Sequence, residues 1–283
     1  MIKLLIFGPT GSMGKLISRL AIEDDEIEVV AACDVQNIGE ELGLIAGVRD
    51  PSKIKINNVE NLQQVIKETK PEVAVDFTVA SATEKNCLLC AKNGIKCVIG
   101  TTALSTEFLN EFESVVKTNS VPAVIAPNMS IGVNVLYKAV EFLTKYLSDW
   151  DIEIIEVHHH RKIDAPSGTA LKIGTVISET LNVPLDEIAK FGRSKGPNKR
   201  LVGAKKKLGF HSVRAGDIVG DHVILFAGSG ERIEIKHQAQ SRICFASGAI
   251  KAIKFISKRE EPRIFSMNDV LGLKVNTRLF RIK

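Results

Sequence analysis

Three consecutive histidines and a nearby lysine mark the stretch of this chain best suited to chemistry. The triplet His158–His160 comes directly after an apolar, β-branched run at 152–157, and Lys162 follows it. Such a run predicts a strand, and the Pro-Ser-Gly-Thr segment at 166–169 predicts the start of a helix that continues to Leu181. We therefore expect the titratable side chains where a strand ends, beside the exposed N–H groups of a helix N-terminus.

This combination of groups suits an acidic substrate that needs a proton during turnover. Imidazole titrates near neutral pH, lysine supplies a fixed cation, and a helix N-terminus offers donors to an anion. If the strand persists, His158 and His160 share one face and His159 lies on the other. We predict no metal site, because adjacent histidines rarely converge on one tetrahedral ion and no further ligands occur at a suitable spacing. Surface histidines without a role are the alternative.

A glycine-rich turn near the N-terminus predicts a dinucleotide site. Gly8, Gly11 and Gly14 lie between an apolar run and a segment with helical periodicity, and Asp34 ends a second apolar run. A strand, a glycine turn, a helix and a distal acid form the dinucleotide-binding arrangement. The spacing is G-x-x-G-x-x-G and not the stricter G-x-G-x-x-G, because Thr10 holds the place of the usual second glycine. Glycine turns with a purely structural role are the alternative.

The residue at the end of the second strand bears on the choice of nucleotide. Asp34 can accept hydrogen bonds from both ribose hydroxyls of NAD and would repel a 2′-phosphate. Val35 follows where an arginine would be wanted for NADP. The sequence therefore favours NADH, and NADPH stays possible if Lys15 or another cation offsets the acid.

Strands and helices alternate through the first half of the chain, which predicts a parallel sheet. Ligands bind beyond the carboxyl ends of such strands. Three successive strand ends consist of small or polar residues, at Asp76–Thr78, Gly100–Thr102 and Ala126–Met129. In the second half, the strands at 208–214, 222–227 and 232–237 have no helices between them and favour an open mixed or antiparallel sheet. The fold class is thus α/β, with an N-terminal Rossmann-type domain and a second α+β domain.

The bulk composition is that of an ordinary globular protein. The chain has 283 residues, a net charge of +5 and five cysteines. We predict two domains, reduced buried thiols, no membrane span and no nucleic-acid binding, in a soluble protein of the cytoplasm. The basic segment 193–207 is interpreted as a solvated loop, or else as an arm for a subunit interface or for anion attraction.

At this point the sequence resembles a known family. The stretch E-V-H-H-H-R-K-I-D-A-P-S-G-T-A is similar to the signature of the 4-hydroxy-tetrahydrodipicolinate reductases, formerly called dihydrodipicolinate reductases. The resemblance extends over nearly the whole chain and includes the glycine turn, the three strand ends, the segment 131–135 and the segment 214–220. It implies NAD(P)H-dependent reduction of a small cyclic dicarboxylate to tetrahydrodipicolinate, in diaminopimelate and lysine biosynthesis.

The resemblance also implies roles for individual residues. His158 and Lys162 would be catalytic, the first as proton donor and acceptor and the second as proton donor. The substrate dicarboxylate would bind to His159, Gly168 and Thr169. The cofactor would be lined by Gly8, Pro9, Thr10, Gly11, Ser12, Met13, Asp34, Gly100, Thr101, Thr102, Ala126, Pro127, Asn128 and Met129.

The domain plan implied by the resemblance has three parts. Residues 1–129 would bind the dinucleotide, residues 130–240 would bind substrate and assemble a homotetramer, and a C-terminal helix within 241–283 would pack back on the first domain.

Two other functions are open to such a chain. Another Rossmann nicotinamide oxidoreductase would share Gly8–Asp34 without needing the His158–Thr169 stretch. A non-catalytic NAD-binding scaffold would be expected to have lost His158 or Lys162.

Overall fold

The structure, a computed structural model, describes residues 1–49, 53–200 and 208–273. The chain divides into two compact units: the first runs to Ile131 and resumes at Ile243, and the second extends from Gly132 to Arg242. The boundaries drawn from the sequence fell near residues 129 and 240. Each unit has its own sheet and its own hydrophobic core.

The strands form two sheets, and the carboxyl ends of the strands in the first sheet lie along one edge. In chain order they are β1 (Ile2–Phe7), β2 (Ile27–Asp34), β3 (Ile56–Asn58), β4 (Val73–Asp76), β5 (Lys96–Ile99), β6 (Ala123–Ile125), β7 (Asp151–His158), β8 (Ala189–Phe191), β9 (Leu208–Arg214), β10 (Gly220–Ala227), β11 (Arg232–Ala239) and β12 (Ile264–Phe265). The first unit contains a seven-stranded, wholly parallel sheet in the order β12-β6-β5-β4-β1-β2-β3. The predicted Rossmann-type sheet is confirmed.

The helices lie between these strands or follow them. They are α1 (Ser12–Ile22), α2 (Leu42–Ala46), α3 (Leu62–Thr69), α4 (Ala80–Lys92), α5 (Thr106–Thr118), α6 (Ile131–Tyr146), α7 (Gly168–Leu181), α8 (Leu185–Ile188), α9 (Ile243–Ser257) and α10 (Met267–Leu271). A 3₁₀ turn at Val59–Asn61 precedes α3. Among these described helices, none has the length and hydropathy needed to span a bilayer.

Strand β1 shows why the first sheet is covered on both faces. Leu4 and Ile6 point into one core cluster, and Leu5 and Phe7 point into the other, with all four side chains buried. The first cluster is shared with α1 and α9, and the second with α3, α4 and α5. A strand buried on both faces has to be apolar at every position, which is why this segment reads as a continuous hydrophobic run.

The second unit has a five-stranded mixed sheet in the order β11-β10-β7-β9-β8. Strand β10 pairs antiparallel with β7 and β11, whereas β9 pairs parallel with β7 and β8. On the central strand, Ile152 and Ile154 face a core formed with α6 and α7. The same face continues into Glu156 and His158, because side chains alternate along a strand.

The described part of the C-terminal segment contains the helix α9, the strand β12 and the short helix α10. Helix α9 ends at Ser257, and the charged run 258–261 with Pro262 follows it, since proline cannot continue a helix. Strand β12 then joins the first sheet beside β6, and α10 completes the described chain. Residues 274–283 lie outside the described residues. Helix α9 packs on α1 within the first unit.

The basic segment 193–207 is only partly described, since residues 201–207 lie outside the described ranges. Arg193 pairs with Glu153 at 2.6 Å, and Arg200 pairs with both Glu153 and Asp151. His211 on β9 adds a further contact to Glu153 at 2.7 Å. Arg193 and Arg200 are therefore tied to the start of β7, although most of the described residues of this segment are exposed.

Four of the five cysteines are buried thiols of the first unit. Cys33, Cys87, Cys90 and Cys97 are buried, and none of the five cysteines forms a disulfide in the described chain. Burial raises the pKa of Cys87 to about 11 and that of Cys33 to about 12. Cys87 and Cys90 are therefore packed into a helix–sheet contact as protonated thiols.

At Gly248, helix α9 lies in close contact with the backbone of Met129, which follows β6. A Cβ built there would lie 1.7 Å from the carbonyl oxygen of Met129. We expect Gly248→Ala to destabilise the protein by about 1–3 kcal/mol, because the helix would have to move away from that backbone. The measurement is the urea midpoint at fixed protein concentration. Lys251→Ala, on the exposed face of the same helix, is the control, and equal midpoints for both variants would contradict the packing argument.

Candidate functional site

The glycine turn after β1 is shaped to receive an anion. Gly8 has a φ of +63°, a conformation that favours glycine, and a Cβ on Gly14 would lie 1.9 Å from the Gly8 carbonyl oxygen. Helix α1 begins directly after Gly11, and no side chain caps its first turn. The N–H groups of that turn are therefore available to a phosphate group, and the positive end of the helix dipole favours its charge.

Asp34, at the end of β2, is bound to the same turn. Its Oδ2 accepts hydrogen bonds from the Thr10 backbone N–H at 3.1 Å and from the Thr10 hydroxyl at 2.7 Å. Its Oδ1 accepts from the N–H groups of Val35 at 2.7 Å and Gln36 at 3.3 Å. These four donors use all the acceptor positions of the carboxylate. A ribose hydroxyl can reach Asp34 only by replacing one of them, and the rotatable Thr10 hydroxyl is the exchangeable donor.

A buried carboxylate organises the next two strand ends. Asp76 accepts hydrogen bonds from the Thr78 backbone at 2.8 Å, the Thr78 hydroxyl at 2.6 Å, the Thr83 hydroxyl at 2.8 Å and the Asn86 amide at 3.3 Å. The Thr83 and Thr101 hydroxyls lie 2.7 Å apart. The ends of β4 and β5 are thereby fixed to each other, because a fully hydrogen-bonded buried acid has one preferred arrangement.

The remaining residues predicted to line a cofactor divide by exposure. Ala126 and Met129 are buried in the core, so only their backbone can reach a ligand, and the Asn128 amide oxygen accepts a hydrogen bond from the Ser130 N–H at 2.9 Å. Pro9 is buried and Met13 packs on the core. The exposed members of the predicted set are Gly11, Ser12, Thr102 and Pro127.

In the second unit, His158 is held by a buried ion pair. Its Nδ1 lies 2.5 Å from Glu156 Oε2, and the Glu156 side chain is only 1% exposed. The Arg214 guanidinium donates to both carboxylate oxygens, at 2.9 Å and 2.8 Å, and the Ser167 backbone N–H donates to Oε1 at 3.2 Å. Burial alone would raise the pKa of Glu156, but hydrogen bonds from Arg214, Ser212 and His158 lower it below its usual value. The carboxylate is therefore anionic at neutral pH.

An anionic Glu156 fixes the tautomer of its histidine. The Nδ1 atom of His158 has to carry the proton in that hydrogen bond, which leaves Nε2 as the atom that gains or loses a proton. Nε2 lies over Gly220, where a Cβ would approach it to 2.9 Å. Burial lowers the pKa of His158, Glu156 acts to raise it, and the cations Lys162 and Arg214 lower it further.

The other two histidines of the triplet lie beyond the end of β7. The strand stops at His158, and the chain turns so that the His160 backbone N–H donates to the Gly216 carbonyl at 3.1 Å. The expectation that His158 and His160 share a sheet face is therefore wrong, because β7 does not persist. His159 is partly buried, and its Nδ1 has no hydrogen-bond partner among the described residues.

Lys162 and the start of α7 follow the histidine triplet along the chain. The Lys162 ammonium donates to Asp164 at 2.6 Å, and this ion pair lowers the pKa of Asp164. The Ser167 hydroxyl caps α7 by accepting from the Ala170 N–H at 3.2 Å. Thr169 hydrogen-bonds Tyr137, whose pKa burial raises to about 12, and Gly168 is exposed at the first helical position.

His222 is a second buried histidine of this site. Its Nε2 lies 3.0 Å from the Ser167 hydroxyl, its ring meets that of His158 edge to face at 5.2 Å, and its Nδ1 has no partner in the described structure. Burial, together with the positive charge of a protonated His158, lowers the pKa of His222 to about 4. His222 is therefore neutral at physiological pH.

The structure thus brings together residues that the sequence analysis did not select. Glu156, Arg214, Ser167 and His222 surround His158, although none of them was predicted as a site residue. A signal for Glu156 was present, since a carboxylate that occupies the apolar register of β7 two positions before His158 must be buried beside it. Arg214 and His222 are distant in sequence, and only the strand pairing places them there.

The chain was compared with known proteins. Residues 2–129 match the family profile described as dihydrodipicolinate reductase, N-terminus, and residues 132–271 match dihydrodipicolinate reductase, C-terminus. The 4-hydroxy-tetrahydrodipicolinate reductase of Methanococcoides burtonii is 46% identical, covering 96% of this chain and 100% of that protein. Its counterpart from Methanosarcina barkeri is 44% identical with the same coverage.

A solved structure is similar as well. The dipicolinate-bound dihydrodipicolinate reductase from Paenisporosarcina sp. TG-14 has a TM-score of 0.76 and 28% identity, covering 94% of this chain and 97% of that one. The parallel sheet with its glycine turn and the histidine site of the second unit define an NAD(P)H-dependent oxidoreductase. The chain belongs to the dihydrodipicolinate reductase family.

The neutral state of His222 predicts how stability depends on pH. A histidine with a folded pKa of about 4 and an unfolded value near 6.5 takes up its proton first in the unfolded state. The stability is therefore complete above pH 6.5 and is lost as the pH falls towards 4. His222 should account for about 2 kcal/mol of the loss between pH 7.5 and pH 5. Urea unfolding of the wild type and His222→Gln at both pH values measures this difference, and parallel losses in the two proteins would refute it.

Proposed function

We propose that this chain is a 4-hydroxy-tetrahydrodipicolinate reductase in which His158 and Lys162 supply the protons. The reaction adds a hydride and a proton to a small cyclic dicarboxylate, whose 4-hydroxyl group leaves as water, and yields (S)-2,3,4,5-tetrahydrodipicolinate, in the diaminopimelate and lysine pathway. The observation that supports it best is the His158 site, where a titratable imidazole, a cation and an open helix N-terminus lie in one part of the second unit. The named activity of the relatives and the dipicolinate bound by the similar enzyme agree with this chemistry.

The substrate carboxylates require fixed donors and positive charge. Gly168 presents the first N–H of α7, and the Thr169 side chain lies beside it. A helix N-terminus favours an anion through its free N–H groups and its dipole. His159 adds a partly buried ring whose Nδ1 is unpaired in the described structure, and pairing that atom with a ligand carboxylate would remove the cost of leaving it unsatisfied. We assign these three residues to substrate binding.

The proton-transferring groups are assigned from their surroundings. His158 exchanges a proton at Nε2, since Nδ1 is bound to Glu156. Lys162 is a cation whose ammonium is bound, among the residues that the structure describes, to Asp164. Negative charge that develops on a reduced ring would be stabilised by both groups before a proton is delivered.

The nicotinamide nucleotide, when bound, supplies the hydride. The residues of the first unit fit such a cofactor, because the Gly8–Gly14 turn has the backbone space that a pyrophosphate needs and α1 starts without a side-chain cap. The adenosine ribose would bind Asp34 in exchange for the Thr10 hydroxyl. The exposed Val35 provides no cation for a 2′-phosphate, so NADH is the proposed preference. NADPH is the weaker substrate.

We also propose a homotetramer, which the family resemblance implies, and a cytoplasmic location.

The decisive experiment couples the purified protein to a dihydrodipicolinate synthase supplied with pyruvate and aspartate semialdehyde. Oxidation of NADH and NADPH is followed separately by absorbance. Synthase-dependent oxidation establishes the reaction. A protein that binds NADH but oxidises neither cofactor would instead be a scaffold, and oxidation with an amino acid or keto acid in place of the synthase product would indicate another dehydrogenase.

Replacing the proposed proton donor tests its role. We expect Lys162→Ala to lower kcat by roughly 100-fold or more, because general-acid groups contribute factors of this size. The dissociation constant for NADH, measured by fluorescence titration, should change less than about twofold by the same assignment. Arg161→Ala, which removes a neighbouring exposed cation paired with Asp217, is the matched control. A large loss of NADH affinity in Lys162→Ala would move this lysine to the cofactor site.

The charge of Asp34 predicts the nucleotide preference. Asp34→Asn removes the repulsion of a 2′-phosphate, so the ratio of kcat/KM for NADH over NADPH should fall by about tenfold or more. Because Asp34 also holds the glycine turn, some loss with both nucleotides is expected and the ratio is the relevant quantity. Thr10→Val, which keeps the charge and removes only the hydroxyl, should leave NADPH disfavoured. An unchanged ratio in Asp34→Asn would show that another group selects the nucleotide.

A further inference from the structure

The Glu156 carboxylate has a position that the proposed reaction does not by itself explain. It is almost fully buried, lies directly behind His158, and joins three parts of the second unit: β7, β9 and the start of α7. A carboxylate is costly to bury unless it is paired and hydrogen-bonded. Arg214, His158, Ser167 and Ser212 all donate hydrogen bonds to this one.

We propose that Glu156, held by Arg214, is a positioning residue that fixes the orientation and the proton affinity of His158. This inference rests on the proposed role of His158 as the proton-exchanging group. Glu156 lies behind the imidazole, at Nδ1, and so acts on the substrate only through that ring. Arg214 has the same indirect position, because its guanidinium binds Glu156 and the Asp164 carbonyl oxygen at 2.6 Å.

The geometry gives Glu156 two effects on the imidazole. The Glu156–Nδ1 hydrogen bond keeps Nε2 as the exchanging atom, over the space that Gly220 leaves. The anion also stabilises the protonated imidazole, which burial would otherwise disfavour. A buried histidine without such a partner would lose its proton well below neutral pH and could not serve as a donor.

His222 shows what that burial does in the absence of a carboxylate. It lies on β10 against the same ring, its Nε2 contacts the neutral Ser167 hydroxyl, and burial lowers its pKa to about 4. The two histidines are in edge-to-face contact, but His222 is the more deeply buried of the two and has a neutral hydroxyl as its partner where His158 has a carboxylate. Glu156 raises the proton affinity of His158 relative to that of His222.

Arg214 sets the strength of this effect. The charged groups around His158 are Glu156 on its own strand, Arg214 on β9 and Lys162 in the following loop, and His222 on β10 is neutral. The bidentate guanidinium holds the carboxylate in place and partly offsets its charge. Removing Glu156 and removing Arg214 should therefore change the proton affinity of His158 in opposite directions.

The test is an NMR titration of the six histidine ring signals, with His158→Gln to assign the signal of interest. In Glu156→Gln we expect the His158 midpoint to move to lower pH, because the stabilising anion is gone and two cations stay nearby. In Arg214→Gln it should move to higher pH. A role limited to packing would let water approach the ring in both variants and raise both midpoints. A midpoint in Glu156→Gln that is unchanged or raised would overturn the proposal.

Enzyme kinetics of the same variants test the positioning role in a second way. In Glu156→Gln, kcat/KM should fall roughly tenfold to hundredfold at pH 7.5, and the loss of activity with rising pH should set in at lower pH. NADH affinity should be unchanged. Glu156→Asp, which keeps the charge, should recover part of the activity. Glu153→Gln is the control, because this carboxylate lies on the opposite face of the same strand and is also paired with arginines.

The two proposals can fail separately. If the wild type shows no synthase-dependent oxidation, the proposed function fails, and the NMR titration still tests the positioning role. If the wild type is active and Glu156→Gln keeps its pH profile, the positioning role fails alone. Should Glu156→Gln not fold, Arg214→Gln should still raise the His158 midpoint, and Glu156→Asp, whose shorter side chain holds the anion farther from Nδ1, should lower it by a smaller amount; an unchanged midpoint in both would overturn the proposal.

Discussion

The organisation of the second unit depends on one constraint: an anion buried in a protein core must have its acceptor positions filled. Glu156 meets it with Arg214, Ser167 and His158, which come from a neighbouring strand, a helix start and the end of its own strand. The pairing of β7 with β9 supplies the guanidinium, and the cap of α7 supplies the N–H group. If any of these elements shifted, a buried charge would lose a partner at a cost of several kcal/mol. The fold and the orientation of His158 are therefore specified by the same contacts.

The first unit uses carboxylates in a similar way at its strand ends. Asp34 binds the Thr10 turn and Asp76 binds the loops after β4 and β5, each accepting several hydrogen bonds from residues nearby in the sheet. Neither acid is paired with an arginine or lysine among the described contacts. Backbone N–H groups and hydroxyls suffice there, and they keep the sheet edge polar and rigid where a nucleotide would bind.

The sequence predicts the architecture well because its signals are local. Continuous apolar runs indicate the doubly covered strands, the Gly8–Gly14 turn indicates the first strand–helix crossover, and Ser167 marks the start of α7. Short elements such as α2, β3 and β12 escape this reasoning, since two to five residues show no periodicity. The partners of His158 escape it for another reason. Arg214 and His222 reach the site through strand pairing across more than fifty residues, which no local pattern encodes.

The discontinuity of the first unit has a consequence for synthesis on the ribosome. Its sheet receives its last strand, β12, and one of its covering helices, α9, only after the whole of the second unit has been made. The second unit is continuous in sequence and contains its own core, so it can become compact while the nucleotide-binding half still lacks a layer. During that interval the apolar surface of β1 and α1 awaiting α9 is exposed to water. At this stage the nascent chain therefore exposes the kind of apolar surface that chaperones bind, although the finished protein is an ordinary two-unit enzyme.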